Sequence, residues 1–118
     1  MNRLGELLGE TGRQWEPDLR ARFAGPLGGI FRVYLPQTWV FRTESESATL
    51  RVDGDGRVTV TDGDSAPADV TIEVPFDRLA TALRTRAKGA VPAAELRVTT
   101  SSAKGRAAFD YLRGRLGL

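Results

Sequence analysis

At 118 residues, with 41% hydrophobic and 27% charged side chains, the chain is long enough for one packed domain and too short for two, and it lacks the composition of a disordered segment. It contains no cysteine and no histidine, which excludes disulfides, thiolate nucleophiles, thiolate or imidazole zinc sites and histidine-based acid–base triads. The net charge is +2, but the first 83 residues carry 9 basic and 13 acidic side chains, whereas Arg84 to Leu118 carry 8 basic and 2 acidic. A basic final third suits phosphates, a membrane surface or an acidic partner, and it is equally the surface charge of an arginine-rich chain.

In chain order, residues 1–23 read as helix. Leu4, Leu7, Leu8, Trp15, Leu19 and Phe23 recur at three- and four-residue steps, which places them on one stripe. Pro17 cannot continue a helix begun upstream, so two pieces are expected, near 2–13 and from about Glu16. The first, residues 1–15, reads as a helical extension free to move beside a single domain spanning 1–118. Gly25-Pro26 ends the segment, and Gly28-Gly29 makes a turn.

From there the period falls to two. Strands are expected at Ile30–Leu35, with Phe31, Val33 and Leu35 on one face, and then at Thr38–Thr43, Ala48–Val52, Arg57–Thr61 and Val70–Val74. Asp53-Gly54-Asp55-Gly56 is a hairpin signal. The helical period returns at Phe76, Leu79, Ala80 and Leu83, for a helix from Pro75 or Phe76 to Ala87. Glu95–Thr99 is a sixth strand, and Ser101 or Ser102 caps a last helix with Ala108, Phe109, Leu112 and Leu116 on one face. The fold class expected is α+β: a mainly antiparallel five- to six-stranded sheet with helices on one face.

No motif supplies catalysis. Counted as a calcium loop from Asp53, the fifth position is Arg57 and the sixth is Val58, which breaks the ligand pattern. Residues 25–29 are glycine-rich but lead, on this reading, into a strand, whereas a phosphate cradle opens a helix. For nucleic acid only Tyr111 and Trp39 qualify as exposed stacking aromatics, because Phe109 belongs to a buried stripe. No nucleic-acid partner, cofactor or metal is expected, and the chain reads as a non-enzyme. No run approaches the roughly 18–20 apolar residues that span a bilayer, and the N-terminus has no charged-then-apolar pattern. A cytoplasmic location without stable membrane insertion is therefore expected.

The inward apolar residues are the remaining candidates: Phe31, Val33, Ile72, Phe76, Leu79, Leu83, Phe109 and Leu112, with Leu116 on the last helix. Periodicity fits a filled core and a ligand tunnel equally. Gly28-Gly29-Ile30-Phe31-Arg32-Val33, Ala68-Asp69-Val70-Thr71-Ile72-Glu73-Val74 with the following Leu79 and Leu83, and Ala94–Thr99 together resemble, in order and spacing, the sterol carrier protein type 2 (SCP2-like) family over about residues 19–116. The chain departs from that family around its sixth strand, where Ala94-Glu95 and Thr99-Thr100-Ser101 replace flanking glycines. The resemblance implies an apolar tunnel between sheet and helices that carries a lipid, fatty acyl chain, sterol or isoprenoid without catalysis. By position its lining is Phe31, Val33, Leu79, Leu83, Phe109, Leu112 and Leu116. Arg84, Arg86 and Lys88, near the end of the middle helix, read equally as head-group contacts and as a solvated helix end. The rival reading is a closed-core module that docks a protein or anionic partner through its basic last helix.

Overall fold

A computed structural model of the chain describes residues 2–26, 28–64, 67–85, 89–113 and 118, with the side chains of Phe23, Ile30 and Phe31 outside the description. Asn2 caps the first helix, α1 (Arg3–Ala24), by accepting a 2.7 Å hydrogen bond from Gly5 N–H. The sequence predicts a break before Pro17, yet α1 runs through it. An interior proline costs a helix about 3 kcal/mol, and tertiary contacts on both sides offset that cost. Upstream, Leu4 and Leu8 are buried in the core, and Glu16 Oε1 accepts from Val58 N–H at 2.9 Å. Downstream, Arg22 Nη1 donates to Tyr111 Oη at 2.9 Å.

The strand expected at Ile30–Leu35 is absent: Gly28–Arg32 forms a short helix, α2, and Val33 lies in the turn beyond it, 68% exposed. Phe31, Val33 and Leu35 are too short a run of alternation to fix a strand, and only Phe31 of the three falls within α2. The glycine segment therefore does precede a helix, contrary to the ground on which a phosphate cradle is excluded above. That helix has only five residues, and its first N–H, on Gly28, already donates to Gly25 O at 3.0 Å.

The sheet is built from β1 (Gln37–Arg42), β2 (Ser47–Val52), β3 (Val58–Asp62), β4 (Val70–Glu73) and β5 (Arg97–Thr100). Their order across the sheet is β3-β2-β1-β4-β5, with β1 and β4 parallel and the other pairs antiparallel. The expected α+β architecture, mostly antiparallel and helix-covered, is the one observed. Asp53–Arg57 makes the β2–β3 hairpin: Asp53 N–H donates to Arg57 O at 3.1 Å, and Gly56 takes the positive φ of 88° that its turn requires. Helix α3 (Phe76–Thr85) matches the helix expected there, with residues 86–88 outside the description. Ala93–Glu95 forms a 3-10 turn before β5, and Ser102 caps α4 (Ala103–Leu112) through Gly105 N–H at 3.0 Å.

Strand alternation sorts the two faces of the sheet. Trp39 and Phe41, Ala48 and Leu50, and Val70 and Ile72 point toward the helices, where Leu4 and Leu8 of α1, Leu79 and Leu83 of α3 and Phe109 of α4 close over them. The opposite face carries Thr38, Val40 and Arg42, Thr49 and Arg51, Thr59 and Thr61. Gly63 O accepts from Thr49 Oγ1, Asp64 pairs with Arg42, and Asp69 meets Thr38, so the β3–β4 connection is anchored on this second face.

Candidate functional site

Six of the nine residues predicted to line a site lie in one apolar cluster between helices and sheet. Ile72 and Leu79 are sealed at 0% exposure, Leu83 and Phe109 retain 7% and 6%, and Phe76 and Leu112 are half-buried against the same cluster. Val33 stands apart from them because its segment is turn, not strand. The side chain of Phe31 and the whole of Leu116 lie outside the described residues.

Helix spacing explains the gathering. Phe76, Leu79 and Leu83 recur on one stripe of α3, and Phe109 and Leu112 share a face of α4. The sheet supplies the floor through Trp39, whose ring centroid lies 6.0 Å from that of Phe109 at 45° and 6.4 Å from that of Phe41 at 33°. The tilted Trp39–Phe109 pair holds α4 against β1. Arg113 rests its guanidinium 5.7 Å from the Phe109 ring centroid, at the C-terminal end of α4. Trp39 is only 5% exposed, which corrects its reading as a surface stacking platform. Tyr111 is exposed, as that reading requires.

The sequence gives no hint of the interior's polar element. Trp39 Nε1 donates to Gln37 Oε1 at 2.9 Å, and Gln37 Nε2 donates to Tyr34 O at 2.6 Å and Lys104 O at 3.1 Å. A glutamine amide offers two donors and one carbonyl, so this buried group is fully used in joining the α2–β1 turn, β1 and α4. No buried side-chain polar atom lacks a partner among the described residues. Of the candidate head-group contacts, Arg84 donates through Nε to Ala80 O of its own helix at 3.2 Å, and Arg86 and Lys88 lie outside the described residues.

The resolved titration shifts fall on the surface. The Arg42 guanidinium is raised by its hydrogen bond and charge pairing with Asp64. Hydrogen bonds from its own and the Phe76 backbone N–H lower Glu44. A hydrogen bond with Asp53, then the Arg57 N–H, lowers Asp55. No group of three or more potential metal-ligating side chains occurs among the described residues, and no described helix is long and apolar enough to cross a membrane. The cluster can exclude water and bury apolar matter, and its residues carry no acid, base or nucleophile. Two open grooves lie elsewhere, one of about 270 Å³ between α1 and β3 and one of about 520 Å³ on the sheet's second face.

No protein-family model matches the sequence, and neither does any curated protein. Among solved structures, the chain is similar to a UbiJ-SCP2 ubiquinone synthesis protein, with a TM-score of 0.53 and 17% identity over 88% of this chain and 91% of that one. Sterol carrier protein 2 like 2 from Aedes aegypti aligns over 89% of this chain and 98% of its own, with a TM-score of 0.49 and 18% identity. A double mutant of the sec-alkyl sulfatase PisA1 matches 65% of this chain with a TM-score of 0.52 and 17% identity, and there the chain spans 13% of the sulfatase's length. The fold is SCP2-like.

Proposed function

We propose that this SCP2-like domain binds an apolar ligand, such as a lipid, fatty acyl chain, sterol or isoprenoid, between its helices and sheet, and does so without catalysis. The observation that carries the proposal is the single apolar cluster of Ile72, Phe76, Leu79, Leu83, Phe109 and Leu112 in that fold. The fold shared with a ubiquinone synthesis protein supports an apolar cargo. Each methylene removed from water is worth about 0.8 kcal/mol, so an acyl or prenyl chain is a sufficient ligand without a polar anchor. Phe76 and Leu112 are the half-buried members of that cluster, and the sealed pair Ile72 and Leu79 must part for a longer chain to enter.

Trp39 reports on this event because it packs on Phe109. A Trp15→Phe variant leaves Trp39 as its sole tryptophan, and titration with oleate and with farnesol should change its emission saturably. Leu83→Glu should abolish the change while the circular dichroism spectrum is kept. No change with either probe argues against the proposal.

A second reading has its own support. Ile72 and Leu79, at 0% exposure, border no water-sized void, as in a closed-core module that docks a protein or anionic partner through its basic last helix. Failure of both ligands to bind, with a partner captured through Arg106 and Arg113, favours it.

A further inference from the structure

The groove of about 520 Å³ lies on the sheet face turned away from the helices, and its floor is a grid of hydroxyls around one arginine. Arg51 on β2 stands opposite Thr38 on β1 and Thr59 on β3, so these three form a row across three strands. Same-face partners of this kind sit about 5 Å apart. Thr49 and Thr61 are paired in the neighbouring row.

Charges on this face are mostly committed. Arg42 pairs with Asp64 at 2.6 Å and Glu73 at 3.6 Å, and Arg97 with Glu73 at 3.7 Å. Lys104 donates to Pro36 O at 2.6 Å and lies 3.9 Å from Asp69. Asp69, the acid of the groove, has both oxygens in use: Oδ2 accepts from Thr38 N–H at 2.9 Å and Oδ1 from Ser102 Oγ at 2.8 Å. Arg51 is different. Among the described residues no carboxylate pairs with it, and Nη1 donates to Thr38 Oγ1 at 3.2 Å, which orients the guanidinium and leaves its other donors available.

We infer that this groove binds a phosphate group that carries neighbouring hydroxyls, with the phosphate on Arg51 and the hydroxyls on Thr38, Thr59 and Thr61. A planar guanidinium matches two phosphate oxygens at once, and threonine hydroxyls both donate and accept, which suits a polyol. The ligand is either a free polyol phosphate or the glycerol-bearing headgroup of a phospholipid. The site lies on the opposite face from the apolar interior, so the two stand or fall separately.

The test is a ¹⁵N NMR titration of the full chain with glycerol 3-phosphate, with glycerol as the uncharged control. Co-sedimentation with phosphatidylglycerol and phosphatidylcholine vesicles runs in parallel. Saturable shifts at Thr38, Arg51 and Thr59, absent with glycerol and weakened about tenfold or more by Arg51→Gln, assign the free polyol phosphate. Silence with glycerol 3-phosphate, but binding to phosphatidylglycerol and not phosphatidylcholine that Arg51→Gln removes, assigns the headgroup. Thr59→Val should weaken whichever binding is seen. No binding of either probe, equal shifts with glycerol, or binding unchanged in both variants overturns the inference.

Discussion

Ser102 Oγ donates to Asp69 Oδ1 at 2.8 Å while accepting Gly105 N–H at 3.0 Å, so the carboxylate that begins β4 fixes the cap of α4. The other Asp69 oxygen accepts from Thr38 N–H, and its backbone N–H donates to Thr38 O at 2.7 Å. One side chain thus joins β1, β4 and the helix that carries Phe109. Asp69→Ala should destabilise the domain by about 2–3 kcal/mol, the range for hydrogen bonds to a charged group together with loss of cap support. Urea unfolding measures this, and a loss below about 0.5 kcal/mol contradicts the role.

The glycines of the helices divide by what a Cβ would meet. At Gly105 it would lie 2.5 Å from the Asp69 carbonyl oxygen, a backbone atom that cannot swing aside. At Gly9 it would meet only the far end of a flexible side chain, Arg13 Nη1 at 3.7 Å. Gly105→Ala should therefore cost about 1–3 kcal/mol by overpacking. Gly9→Ala should stabilise α1 by up to about 1 kcal/mol through helix propensity. Thermal unfolding of the two variants should move in opposite directions.

Pro17 sits inside α1 without its N–H, so Pro17→Ala should raise stability by about 1–2 kcal/mol, the helix-interior penalty less the entropy that proline removes from the unfolded chain. A fall in stability on this substitution would mean that α1 needs the proline for its path over β3.

Glu44 Oε2 accepts from Phe76 N–H at 3.0 Å, at the first turn of α3. Hydrogen bonds from its own N–H and then that of Phe76 hold its carboxyl below the ordinary 4.5. A depressed folded value means the contribution is present above 4.5 and lost as pH falls through the folded value. The stability gap between the parent and Glu44→Gln should therefore be open at about pH 7 and closed at about pH 3. A gap that persists in acid contradicts this.

Much of this architecture is legible in the sequence, where long periodic runs leave little choice. Val70, Ile72 and Val74 alternate inward as expected, and Leu79 and Leu83 mark the buried stripe of α3. The segment 28–35 is not legible, because Phe31, Val33 and Leu35 are too few to distinguish strand from helical turn. Tertiary packing carries α1 past Pro17, and that is invisible to local propensity. Gln37 looks like an ordinary surface residue until its side chain is seen to bridge Tyr34, Trp39 and Lys104. Arg51 is one arginine among many in the sequence, and only strand register reveals it between Thr38 and Thr59.

The most direct test of apolar-ligand binding is native mass spectrometry, with lipid extraction after denaturation, on the chain purified from the cells that make it. An apolar molecule should be bound at close to one per chain and lost in a folded Leu83→Glu variant. A ligand-free mass, together with no thermal stabilisation by excess acyl or prenyl chains, would contradict such binding.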